Sequence, residues 1–211
     1  MTDQIDVHEP YVDARQQHAA DMLGVYVFLA NELMLFGCLF AVAYVIRIMH
    51  PADYIEASKH LHVWFGGINT VVLLTSSLAA ALGVHAVRLG RDRQAACSLL
   101  AAAGMGLGFL AIKAGEYATE YGEGLLPIPG AVTRFSSPVE HQFMNLYLIA
   151  TMLHAVHLTI GILLLSGVAA SLLRRSWQPR NHVMTVTVSG IYWHFVDVIW
   201  VFLYPALYLA R

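Results

Sequence analysis

The sequence predicts an all-α integral membrane protein whose five transmembrane helices form one bundle. Composition and run length carry that prediction. Of 211 residues, 58% are apolar and 12% charged, against roughly 45–50% and about 25% in a soluble domain, which excludes a soluble enzyme. Five apolar runs bounded by charge have the length needed to cross about 30 Å of hydrocarbon at about 1.5 Å per residue: Gly24 to Ile46, Gly66 to Val87, Ala95 to Tyr117, Phe143 to Leu173 and Met184 to Ala210. Backbone polar groups in lipid must be satisfied within their own segment, so such runs are helices.

Each segment has its own justification. Residues 1–23 carry Asp3, Asp6, Glu9, Asp13 and Asp21 with no apolar core, so they read as a polar tail rather than a secretory signal. The first span closes at Arg47 and the second at Arg88, while Arg91 and Arg93 open the third. In the third, Gly104 and Gly108 follow Ala101 to Ala103 at GxxxG spacing, a pattern that lets helix backbones approach closely. No strand precedes it, so a nucleotide-binding loop is excluded. Ala118 to Gln142, with Gly122, Gly124, Pro127, Pro129, Gly130 and Pro138, reads as a loop carrying the acids Glu120, Glu123 and Glu140. The fourth span is long enough to need tilt or an extension beyond the bilayer. Trp64, Phe65, Trp177, Tyr192, Trp193, Trp200, Tyr204 and Tyr208 read mainly as interfacial or lipid-facing aromatics.

Charge distribution sets the expected orientation. Arg15, Arg88, Arg91, Arg93, Arg174, Arg175 and Arg180 fall on one side, and Arg47, Lys59, Arg134 and Arg211 on the other. Seven against four places the N-terminus in the cytoplasm and the C-terminus outside. The net charge of −2 leaves no basic footprint for nucleic acid. Cys38 and Cys97 offer no disulfide framework and no zinc-type cluster.

Ionisable side chains within spans are costly, and each is a functional candidate with a partner to be found. Glu32 lies in the first span beside Asn31, Asn69 and His85 in the second, Lys113 and Glu116 in the third, His154 and His157 in the fourth, His194 and Asp197 in the fifth. Lys113 and Glu116 share a helix face at i, i+3; they read as a snorkelling ion pair near a span end, or as a lipid-headgroup or subunit contact. HxxH at 154 and 157 with HxxD at 194 and 197 permits a metal site, an interhelical hydrogen-bond network, or, with His85, axial ligation of haem as in a b-type cytochrome. Glu32 has no cation on its own turn, which suits either a proton-linked acid or a neutral acid that fixes packing. A transporter would show repeated halves or interrupted spans at matching positions, and the sequence shows neither.

The motifs GVYVFLANELMLFG, GFLAIKAGEY, LHAVHLTIGILLL and IYWHFVDVIWVFLYPALYL resemble, in order, the signatures of subunit III of the haem-copper terminal oxidases, the group that includes cytochrome c oxidase. The resemblance spans Gly24 to Arg211. It implies the last five helices of a seven-helix form, a multi-pass protein of the bacterial inner (cytoplasmic) membrane, and a non-catalytic subunit. Such a subunit packs beside the catalytic haem-copper subunit I and subunit II, holds phospholipid in a cleft, and sustains proton uptake into its neighbour. Glu32 matches the family's intramembrane carboxylate; Lys113, Glu116, Tyr117, His154, His157, Trp193, His194 and Asp197 match motif positions that hold neither haem nor copper. Those cofactors would sit on partner subunits. Asn31 stands where a serine is usual, and TMLHAVHL lacks the glycines common around the two histidines. HVWFGGINTVVLLTSS and FLYPALYLAR also resemble the accessory membrane protein of nitric oxide reductase, a branch of the same family.

Overall fold

The computed structural model describes residues 14–125, 137–174 and 179–210. The N-terminal tail before residue 14, the loop prolines Pro127 and Pro129, Gly130, and Arg134, Arg175, Trp177 and Arg211 lie outside the described residues. Among those described there are six helices and no strand: α1 (Ala14–Met49), α2 (Pro51–Lys59), α3 (Val63–Arg88), α4 (Asp92–Gly122), α5 (Pro138–Arg174) and α6 (Pro179–Tyr208). Five are long and apolar enough to cross a membrane; four of them contain an expected span whole, and α6 holds the fifth as far as Tyr208. The chain is an integral multi-pass membrane protein.

Three expectations change. The helix holding the first span starts at Ala14, ten residues ahead of the apolar run. The segment read as a loop from Ala118 to Gln142 is helical at both ends, because α4 continues to Gly122 and α5 starts at Pro138; Pro138 sits at a helix start, where its missing N–H costs nothing. The unforeseen α2, PADYIEASK, is nine residues long, too short and polar for a span, and has Pro51 in its first turn.

The chain divides into two compact units, Met1–Cys38 and Leu39–Arg211. In the first, the part of α1 up to Cys38 is largely exposed, with Phe36 its one buried side chain among those described. In the second, α3 packs on α4, α4 on α5, α5 on α6, and α6 back on α3; α2 lies against α5 and α6. The turn from α3 to α4 is tight. Gly90 adopts φ 70°, a conformation cheap only for glycine, and Arg91 N–H donates to the Ala86 carbonyl at 3.0 Å.

The centre of this four-helix ring is Trp193 of α6. A Cβ added to Gly106 of α4 would stand 2.7 Å from its indole, and one added to Gly161 of α5 would stand 2.9 Å away. The ring thus fills the space that two glycines leave, and its Nε1–H donates to Ser76 Oγ of α3 at 2.8 Å. Ser76 Oγ in turn donates to the Ala102 carbonyl at 3.3 Å. The expected Gly104 and Gly108 packing face is corrected by this geometry. Neither meets any atom within 4 Å; the close approach uses Ala102, Ala103 and Gly106, which turn inward at i, i+3 and i+4 spacing.

The α2 helix completes the bundle by capping α6. The last carbonyls of a helix lack intrahelical donors, and here Tyr54 Oη donates to Ala206 O at 3.0 Å and Ser58 Oγ to Leu207 O at 2.8 Å. Tyr54 also stands edge-on to Phe143 of α5, with centroids 4.7 Å apart. Burial pushes its phenol up to about 12, so it remains a donor at neutral pH.

Gly106→Ala should lower the thermal midpoint of the detergent-purified chain through about 1–3 kcal/mol of overpacking against Trp193. Gly104→Ala should leave it unchanged or raise it by up to about 1 kcal/mol of helix propensity. Equal effects at the two positions would contradict the assigned packing face.

Candidate functional site

The buried stripe of α4 runs Ala102, Ala103, Gly106, Phe109, Lys113, Glu116 and Glu120. Its period of three and four carries the inward face straight from glycine and alanine into a lysine and two glutamates. An ammonium in this position must find its hydrogen-bond acceptors inside the protein. Lys113, 2% exposed, donates to Glu116 Oε2 at 2.9 Å, to Tyr147 Oη of α5 at 2.9 Å and to Tyr208 Oη of α6. The rings of Tyr147, Tyr117, Tyr208 and Trp200 flank Nζ at 4.8, 5.1, 5.1 and 5.5 Å from their centroids.

The phenols close the network. Tyr208 Oη donates to Glu116 Oε1 at 2.6 Å, and Tyr147 Oη donates to Glu120 Oε1 at 2.7 Å. Tyr117, half-buried, bonds Thr151 of α5 at 2.6 Å. Snorkelling is corrected here: Lys113 does not reach an interface, because Glu116, Tyr147 and Tyr208 bring its acceptors to it. Glu120 is corrected as well. It belongs to the helix, at 0% exposed, rather than to an acidic loop.

Toward the bundle centre the network gives way to aromatic packing around a histidine. His154 is fully buried, with Phe109 at 5.5 Å and Trp200 at 5.2 Å between ring centroids, and neither ring nitrogen has a hydrogen-bond partner. Trp200 Nε1–H donates to Thr70 Oγ1 at 3.1 Å. His157 turns back on its own helix, Nδ1 lying 2.8 Å from the Leu153 carbonyl, and its own carbonyl accepts from Tyr192 at 3.1 Å. His194 is half-buried and meets Ser77 Oγ of α3 at 2.5 Å. Asp197, 3% exposed, stands beside Ser77 without a hydrogen bond of ordinary geometry. Asn69 is fully buried with both amide atoms unpartnered.

The expected residues therefore do not form one site. Lys113, Glu116 and Tyr117 come together with Tyr147, Thr151 and Tyr208; Trp193, His194 and Asp197 line the α3–α6 seam with Ser76 and Ser77; His154 and His157 point to different surroundings. The four residues of the HxxH and HxxD pair do not converge, and among the described residues no three His, Cys, Asp or Glu side chains are grouped to hold a metal ion. His85, the further haem-ligand candidate, is exposed. Glu32 lies in the first compact unit, partly exposed on α1. Trp193, Trp200 and Tyr208, read as belt aromatics, are fully buried, whereas Trp64 is 86% exposed. Glu120, Tyr147 and Tyr208 were missed as site residues. The i, i+3, i+7 spacing of 113, 116 and 120 carried the signal for Glu120; Tyr147 is uncharged and stands in no pattern, and Tyr208 reads as an interfacial aromatic.

The family model for cytochrome c oxidase subunit III matches residues 14–210. The chain is 33% identical over 188 residues to the cytochrome c oxidase subunit 3 of Thermostichus vulcanus, covering 89% of this chain and 86% of that protein. It is 28% identical over 189 residues to the quinol oxidase subunit 3 of Bacillus subtilis, covering 90% and 86%. With the cytochrome c oxidase subunit 3 of Synechocystis it shares 31% identity over 192 residues, covering 89% and 75%.

Removing one partner of a buried ion pair leaves the other uncompensated. Lys113→Met should destabilise the purified chain by about 3–5 kcal/mol, and Lys113→Met/Glu116→Gln should recover most of that loss. Additive losses in a double-mutant cycle read by thermal unfolding would contradict the pairing.

Proposed function

This chain belongs to the cytochrome c oxidase subunit III family, and from that premise we propose that it is the non-catalytic third subunit of a respiratory haem-copper oxidase in a bacterial cytoplasmic membrane. It packs against catalytic subunit I, in a complex with subunit II, and holds phospholipid on its apolar surface. Haem and copper sit on the partners and supply the redox chemistry. The observation that carries the reading is the continuous match over residues 14–210, supported by relatives named as third subunits of terminal oxidases that the chain covers at 86% of their length. The interior agrees with a scaffold role: Lys113, Glu116, Tyr147 and Tyr208 are engaged with each other across helices.

The outer surface supports the partner and lipid parts of the proposal. Helix α1 exposes Leu23, Val27, Leu33, Met34 and Ile48 at 59% or more, apolar area that belongs against acyl chains or another subunit. Glu32 stands on the same helix, and a carboxylate at membrane depth beside bound lipid can act on the charge balance of a neighbour's proton entrance. Electron-transfer chemistry is unaffected by such a group; sustained proton supply is.

Purification of the tagged chain from native membranes in mild detergent should bring down haem and copper, and stripping the partners should leave it colourless in reduced-minus-oxidised spectra. Copurified b- and c-type haem with non-haem iron and no copper would assign it to the nitric oxide reductase branch instead; haem retained by the stripped chain would overturn both. Glu32→Gln should preserve assembly and haem content while shortening the number of turnovers the complex sustains, as read by oxygen consumption over many cycles. Unchanged endurance would remove Glu32 from the mechanism.

A further inference from the structure

The Lys113 cluster holds one formal positive and two formal negative charges, all on side chains with at most 2% exposure. Its hydrogens can be counted. The ammonium's three go to Glu116 Oε2, Tyr147 Oη and Tyr208 Oη. The Tyr208 hydroxyl hydrogen goes to Glu116 Oε1 at 2.6 Å. The single Tyr147 hydroxyl hydrogen goes to Glu120 Oε1, at 2.7 Å against 3.2 Å to Glu116 Oε1. Every donor in the cluster is then used. Glu116 accepts on both oxygens, one bond coming from the ammonium, as a buried carboxylate requires. Glu120 accepts on one oxygen only, and its Oε2 is buried without a partner.

We propose that Glu120 carries a proton at neutral pH, making the Lys113 cluster a neutral, single-proton binding site inside the bundle. A second carboxylate charge here would have neither a cation of its own nor a donor for Oε2, and burying an uncompensated charge costs far more than burying a neutral acid. The groups that Glu120 faces are Lys113, Glu116 and Glu123 on α4, Tyr147 on α5 and, through Tyr147, Tyr208 on α6. Glu123 in turn has His62 Nε2, just ahead of α3, at 3.8 Å, on a side chain 37% exposed. Lys113 is thus shared by two acids, and Glu116 holds the shorter claim on it. Tyr147 links the two carboxyls. With Tyr147 donating to Glu120 Oε1, the acid proton sits on Oε2. Release of that proton leaves two carboxylates beside one cation, a net charge of −1.

The test is infrared spectroscopy of the full chain in its native complex at neutral pH, wild type against Glu120→Gln. The difference spectrum is expected to contain the carbonyl stretch of a protonated carboxylic acid, lowered in frequency in D2O and missing from Glu120→Gln, with Glu120→Gln assembling normally because glutamine reproduces the neutral acid. Tyr147→Phe should keep the band and raise its frequency, since the phenol no longer donates to the carbonyl. Loss of carboxylate bands in Glu120→Gln instead of the acid band overturns the proposal, as does a wild-type stability that depends on sodium or potassium, which would place a metal cation at Glu120. Failure of Glu120→Gln to accumulate overturns it too, because an ionised carboxylate would then be what the fold needs.

Discussion

A lysine ammonium enclosed by helices fixes more of this molecule than any other single group. Lys113 has three hydrogens to place, and the structure places them on three helices' side chains: its own α4, α5 through Tyr147 and α6 through Tyr208. Each bond sets a register, since a shift of one turn along any helix would carry the acceptor out of reach. Two glutamates and two phenols then arrange themselves by what remains to be satisfied. In hydrocarbon surroundings apolar packing alone discriminates weakly between helix registers, because lipid tails are as apolar as leucine. Polar pairing supplies the discrimination at one end of the bundle.

Midway along the bundle steric fit does the same work. Trp193 occupies a slot cut by Gly106 and Gly161, and its N–H reaches Ser76 on the fourth wall of the ring. Between the two lie Phe109, His154 and Trp200, packed edge-on or tilted. The interior is thus layered along its axis: charge and phenols, aromatic rings, then an indole among glycines. The surface inverts the usual soluble pattern, with Leu74, Leu78, Leu82 and Leu163 more than half exposed.

Span number and approximate position were legible because about twenty apolar residues between charges have few alternatives to a transmembrane helix. The motifs around Lys113, Trp193 and His194 were legible as places where polarity is out of keeping with depth. What stayed hidden was partnership. Nothing local says that Tyr147 and Tyr208 answer Lys113 from 34 and 95 residues away. An aromatic residue near a span end reads the same whether it faces headgroups or an ammonium, so Tyr208 was taken for the first. Gly104 and Gly108 matched a known packing pattern, yet the inward face of α4 is set by Trp193 and falls two residues away, on Gly106. The nine residues of α2 fell below any span-length search, and its purpose lies at the far end of the chain.

That placement bears on how the protein is made. Ser58 and its acceptor carbonyl are 149 residues apart, so α2 is synthesised long before the helix it will cap exists. Until the final turn of α6 is synthesised, Tyr54 and Ser58 have no carbonyls to receive their hydrogens, and Lys113 lacks Tyr208. The closing turn therefore acts as a latch between the early and late parts of translation, and a chain that stops short of it leaves Tyr54, Ser58 and one hydrogen of Lys113 without their acceptors.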